Sequence, residues 1–202
     1  MGVTVGIRAQ IMLQRLVRVG VVLGTLGLVV WSAADSVRIA LADRAAQPAR
    51  RALAAWRVPG QQPLDVASWT MARDALERAR MFAPDDPDLA LDLGLVLLLR
   101  ARHSAHVPPL AGALLDDALG AFRDAARLRP VWAQAWAYIA HSQRLRLRLG
   151  VVTPAEREAG TANGEAERSA VLARRYGPYE PVVRRLLEPG RPQDRHAEGG
   201  RG

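Results

Sequence analysis

The 202-residue chain is half hydrophobic, only 5% aromatic, and carries a formal charge of +8. Its length allows one modest domain plus an anchor or tail, and its apolar mass is Ala and Leu, strong helix formers. Runs of Val, Ile, Thr and Tyr are too few for a sheet, so an all-α class is expected.

Cysteine is absent, which removes disulfides, thiolate metal sites and thiol catalysis and leaves the compartment open. All 28 basic residues are Arg, scattered along the chain instead of gathered into one arm. With so much Ala, Gly and Pro, that pattern reflects a skewed composition more than selection for phosphate contacts, and nucleic acid is not an expected partner.

Residues 1–15 read as a short cytoplasmic N-terminus and 16–34 as a transmembrane helix. Val19 to Ala34 has no charge, while Arg8, Arg15 and Arg18 precede it and Asp35 comes directly after. Counted from Leu16, with Arg18 snorkelling, the segment gives about 28 Å of helix, just enough to cross a hydrocarbon core. Trp31 falls near the far interface. Two other readings compete: a signal peptide cleaved at Ala34 after the small Ser32-Ala33-Ala34, and a buried core helix. The long stretch before the apolar run argues against the first, and the lack of a polar face against the second. The leading Arg cluster favours an inner-membrane, single-pass arrangement with the bulk of the chain periplasmic, although Arg38, Arg44 and Arg50 lie just beyond the span. Leu89 to Leu99 is apolar but short and contains Asp92, so it reads as a buried helix and not a second span.

Residues 35–63 read as a stalk or linker. Asp35 to Trp56 is helical, broken near Pro48 and closed by Pro59-Gly60. It continues the membrane helix outward and places Leu53 and Trp56 to pack on the first repeat.

Residues 64–187 carry an internal repeat. Ala, a second Ala seven residues on, and Pro five residues later occur as Ala72, Ala79, Pro84, as Ala118, Ala125, Pro130, and as Ala166, Ala173, Pro178, with the prolines 46 and 48 apart. Ala at i and i+7 forms a stripe that lets another helix approach closely, and Pro then ends the helix. Trp69, Leu76 and Met81 extend the first stripe, and Leu115, Phe122 and Leu128 the second. Between them lies a second helix type: Asp85-Asp86-Pro87-Asp88 opens one copy, which carries Leu93, Gly94 and Leu97, and Trp136, Ile139 and Ala140 occupy the next.

These residues resemble the tetratricopeptide repeat. Ala72, Leu76, Ala79 and Pro84 match its helix B, Leu93, Gly94 and Leu97 the next helix A, and Ala118, Phe122, Ala125 and Pro130 its helix B. Trp136, Ile139 and Ala140 start a third unit closed by Ala166, Ala173 and Pro178. The resemblance implies about 2.5–3 degenerate α-hairpin units with roughly 12 to 14 residues beyond the usual period. Ala101–Leu114, with Pro108-Pro109, and Gly150–Thr161 would hold the excess, and Gln143 departs from the expected apolar residue. Within this set, Arg129 to Ala137 and Gly177 to Val183 are similar to VpsP-type polysaccharide biosynthesis proteins of bacteria, which pair one N-terminal membrane helix with degenerate repeats. That likeness implies an accessory role in exopolysaccharide synthesis or export, not sugar transfer.

The repeat resemblance also implies a groove. Gln134, His141 and Arg144 fall on the concave side of the third helix A, with Arg148 on the face of Arg144. Asp88, Leu91, Leu95 and Leu98 take the matching positions of the second. Such a groove suits a helix or peptide of another membrane or envelope protein, while residues 16–34 meet the bilayer. Arg144, Arg146 and Arg148 alternate with Leu, and are either a basic patch for an acidic partner or anionic glycan, or charge balancing a helix C-terminus.

No catalytic, cofactor or metal site is expected. His103 and His106 sit in a Pro-containing loop without a carboxylate nearby in sequence. Asp85-Asp86-Pro87-Asp88 and Asp116-Asp117 read as helix openings, and Thr153-Pro154-Ala155-Glu156 as a capping box. Phosphate loops and hydrolase signatures are missing. Residues 188–202 are Pro, Gly and charge, and read as a disordered tail.

Overall fold

Alanine stripes at helical spacing become eight helices among the described residues: α1 (Val3–Trp56), α2 (Val66–Phe82), α3 (Pro87–His103), α4 (Pro108–Leu128), α5 (Ala133–Leu149), α6 (Pro154–Glu158), α7 (Thr161–Tyr176) and α8 (Pro181–Leu187). The computed structural model describes residues 3–56 and 65–188, with side chains from residue 24 onward, and those residues include no strand. The expected tail beyond Glu188 and the Pro59-Gly60 stop lie outside the described residues.

α1 is one helix of 54 residues. From Gly24 it is long and apolar enough to span a membrane. Leu26, Leu28, Val29, Val30 and Trp31 are all more than half exposed, so among the described residues this stretch has no protein surface to bury against. The break expected at Pro48 does not occur, since the helix runs through it. Proline removes one N–H and crowds the carbonyl four residues back, but buried Ala46, Ala49 and Leu53 hold the helix on both sides.

Ala42, Ala46, Ala49, Leu53 and Trp56 recur every three or four residues and are all buried. They pack on α2, where the Trp56 and Trp69 ring centroids stand 4.2 Å apart. The segment expected as a stalk is therefore one arm of a first hairpin.

α3 with α4 forms the second hairpin, and α5 with α7 the third. Each repeated Ala fills a helix–helix seam: Ala72, Ala79, Ala118, Ala125, Ala166 and Ala173 are 0–3% exposed. Gly94 does the same job without a Cβ. A methyl there would lie 2.6 Å from Phe122 Cδ1 and 2.9 Å from Cζ, so the bare backbone seats the ring. Phe122 also stacks on Tyr138 of α5 at 5.1 Å, joining the second hairpin to the third.

Three local expectations change. Met81 is 82% exposed and not part of the stripe, because five residues beyond Leu76 lie about 140° round the helix. Asp116 and Asp117 sit in the middle of α4, which Pro108 and Pro109 open at its first positions, where proline loses no helical hydrogen bond. Most of Ala101–Leu114 thus extends helices instead of forming a loop, and His103 is the last residue of α3, its ring 6.5 Å from Trp69. The Thr153–Glu156 capping box is present.

Candidate functional site

Two turns of α5 place His141, Arg144, Leu145 and Arg148 on one face, at i, i+3, i+4 and i+7. Glu167 and Arg174, seven apart on α7, form the facing wall, and Leu186, Leu187 and Glu188 close the end. The result is an open cleft of about 400 Å³. It exists because the α5–α7–α8 seam is built on Ala133, Ala137, Ala140, Ala170 and Ala173, whose methyl groups bring backbones together but fill little space beyond them.

Arg144 braces the cleft, with Nη1 donating to the Leu187 carbonyl and Nη2 to Glu167 Oε1, both at 3.3 Å. Arg148 and Arg174 have no ion-pair partner among the described residues. His141 sits behind them. Burial, then the nearby Arg102, Arg148 and Arg144 guanidiniums, push its pKa down to about 4, against a hydrogen bond with the Leu186 backbone. At neutral pH the ring is uncharged and the positive field comes from arginine.

Of the residues placed in a groove by sequence, the structure gathers His141, Arg144 and Arg148. Gln134 lies two turns back on α5, outside the cleft lining. Asp88 faces Arg129 at 3.5 Å. Leu91, Leu95 and Leu98 are 3–6% exposed and belong to the core, because ten of the 17 residues of α3 are buried. A helix apolar on every side is enclosed and cannot line an open groove. Sequence reasoning misses Glu167, Arg174 and the end of α8, although Glu167 and Arg174 share an i, i+7 face that the sequence displays.

Arg146 fits neither reading of the alternating arginines, a surface basic patch or charge balancing a helix C-terminus. It is 5% exposed, with Nη1 3.2 Å from Glu156 Oε1 and Nε 2.9 Å from Asp116 Oδ1. The second contact is an ion pair without hydrogen-bond alignment. Arg146 also donates to Gln143, whose amide donates to Glu165, and Glu165 takes hydrogen bonds from Arg123 at 2.7–2.9 Å. Gln143 is therefore polar for a reason: it links two ion pairs across the α4–α5–α7 junction. Glu156 doubles as the capping-box acid, and hydrogen bonds from the Thr153 backbone and hydroxyl, then Arg146, hold its pKa down at about 2.

The cleft sets Arg144, Arg148 and Arg174 against Glu167 and Glu188, one cation in excess, and Arg148 and Arg174 are the side chains there with donors to offer a carboxylate or other anion. Among the described residues no three His, Asp or Glu side chains gather in a metal-ligating group. Fold and site together define an all-helical protein of stacked hairpins, with one long apolar N-terminal helix and an arginine-lined cleft at the opposite end of the chain. Comparison with protein-family models, curated proteins and solved structures finds no match.

Proposed function

We propose that the protein is a membrane-anchored, non-enzymatic scaffold of tetratricopeptide-like hairpins, whose arginine cleft holds an acidic segment of a partner envelope protein. The observation that carries this reading is the single helix that is apolar from Gly24 and buried from Ala42 in the first hairpin. A helix shared in this way fixes the hairpins to the bilayer surface without a flexible joint. The Arg residues before the apolar segment favour an inner-membrane, single-pass protein with periplasmic repeats. The likeness of Arg129–Ala137 and Gly177–Val183 to VpsP-type proteins makes exopolysaccharide synthesis or export the pathway of choice, in an accessory role.

A second reading is favoured by Arg148 and Arg174, which stand without ion-pair partners among the described residues: direct binding of an anionic polymer. A photo-crosslinking residue at position 148 of the full chain, in membranes, separates the two. A protein adduct with an acidic segment, absent when the crosslinker is at Glu158, supports the scaffold. Retention on a polyuronate column that is lost in high salt, with no protein adduct, supports polymer binding. Neither adduct nor retention overturns the cleft as a binding site. Release of the chain by carbonate extraction overturns the anchor.

A further inference from the structure

The turn between α2 and α3 carries exposed apolar residues that the core does not use. Met81 is 82% exposed and Phe82 38% exposed, at the last two positions of α2. Their height above the bilayer is fixed by a bond to α1, for Arg38 Nε donates to the Phe82 carbonyl at 3.1 Å. Arg38 lies only four residues beyond Ala34, where the apolar span ends, and four residues of helix rise about 6 Å. The polar headgroup layer on each side of a bilayer is about 5–7 Å deep. Around the same level, Val37, Ile39 and Leu41 of α1 are 43–58% exposed, again apolar and uncovered.

We infer that the Met81–Phe82 turn, held to α1 through Arg38, is a second membrane contact, embedded in the headgroup layer of the bilayer that α1 crosses. This rests on the anchor reading above and adds to it. The span alone leaves the protein free to tilt about its anchor, whereas a second contact offset from α1 fixes that tilt. The hairpin stack, and with it the arginine cleft, is then held at one height and inclination above the membrane.

The partner is the lipid interface and not an anionic lipid in particular. The nearby charges give no net attraction for one, since Asp85 and Asp86 stand in the same turn, Arg38 is 4.0 Å from Asp35 and Arg80 is 2.9 Å from Asp124. The contact is therefore apolar, with Met and Phe supplying the area and the remaining Arg38 donors within reach of lipid phosphate.

Because the chain has no cysteine, single labels report without background. Full-length Met81→Cys, Leu28→Cys and Glu158→Cys proteins, each carrying an environment-sensitive fluorophore, are reconstituted in phosphatidylcholine vesicles containing lipids spin-labelled at the headgroup or in the acyl chain. The expected result is at least two-fold stronger quenching at 81 by headgroup labels than at 158, which lies on α6 at the other ends of the hairpins, with 28 quenched by acyl-chain labels. If 28 is quenched but 81 matches 158, the anchor stands and the second contact is wrong. If 28 also matches 158, both fall.

Discussion

The first two hairpins and the third are held together by different physics. From Ala42 to Ala126 the core is one apolar cluster, with Leu76, Leu89, Leu115, Leu119 and Phe122 all but fully buried, and it reaches the near side of α5 through Ala135 and Ile139. The fully buried cluster around α5, α7 and α8 consists of five alanines, Val183 and Leu187, with Trp136 and Leu186 partly buried against it. Five methyl groups bury little area, and the missing cohesion is supplied by Arg146 with Asp116 and Glu156, by Arg123 with Glu165, and by Arg144 with Glu167 and the Leu187 carbonyl. Ion pairs such as Arg50 with Asp92 and Arg80 with Asp124 also brace the first two hairpins, but there they lie over a continuous apolar core, so screening weakens that region less than the third. The same alanines that weaken the third hairpin leave room for the cleft, so its limited packing and its open cleft have one cause.

Four changes set the two regions against each other. The largest effect belongs to the apolar body. Phe122→Ala removes a fully buried ring that seats on Gly94 and stacks on Tyr138, and should cost about 3–5 kcal/mol in urea titration of the full chain in detergent.

The ionic seam comes next. Asp116→Ala combined with Glu156→Ala leaves a buried guanidinium without its carboxylates and should cost about 3 kcal/mol. Arg146→Met, which removes the buried charge itself and leaves the acids to water, should cost much less. Equal losses from the two would mean that the stranded guanidinium carries no penalty beyond the lost ion pairs.

The third test uses pH. The folded His141 pKa lies at about 4, below its ordinary value of 6.5, so between these values the unfolded chain binds the extra proton. Its contribution is complete above pH 6.5 and is lost as pH falls toward 4, by about 2 kcal/mol after allowance for partial exposure. His141→Gln should flatten that part of a thermal-denaturation pH profile. Glu156, held at about 2 against an ordinary 4.5, weakens the fold only in the separate window below 4.5.

The smallest change runs the other way. The Ser142 hydroxyl is buried without a hydrogen-bond partner among the described residues, so Ser142→Ala should stabilise by about 0.5–1 kcal/mol.

Legibility in the sequence divides along the same line. The alanine stripes and closing prolines of the hairpins repeat along the chain, so their burial can be read from periodicity alone. Leu53 and Trp56 are read correctly against the first repeat, because helical spacing continues through Pro48 whether or not the proline is noticed. Met81 goes astray when a position five residues on is treated as part of the stripe. The cleft is only half legible: His141, Arg144 and Arg148 share one face of α5, a local fact, but Glu167, Arg174 and Leu187 reach it only through packing of α7 and α8. Arg146 is the least legible, since its partners lie 30 residues before it and 10 after, and alternation with leucine looks the same for a buried arginine as for a solvated one.

The contrast between the apolar body of the first two hairpins and the ionically closed third is tested most directly by native-state hydrogen exchange of the full chain at neutral pH. Amides of α5, α7 and α8 are expected to exchange through an opening that leaves α2, α3 and α4 protected, and that opening should become easier in high salt. A single exchange free energy shared by all these helices and unmoved by salt would contradict it.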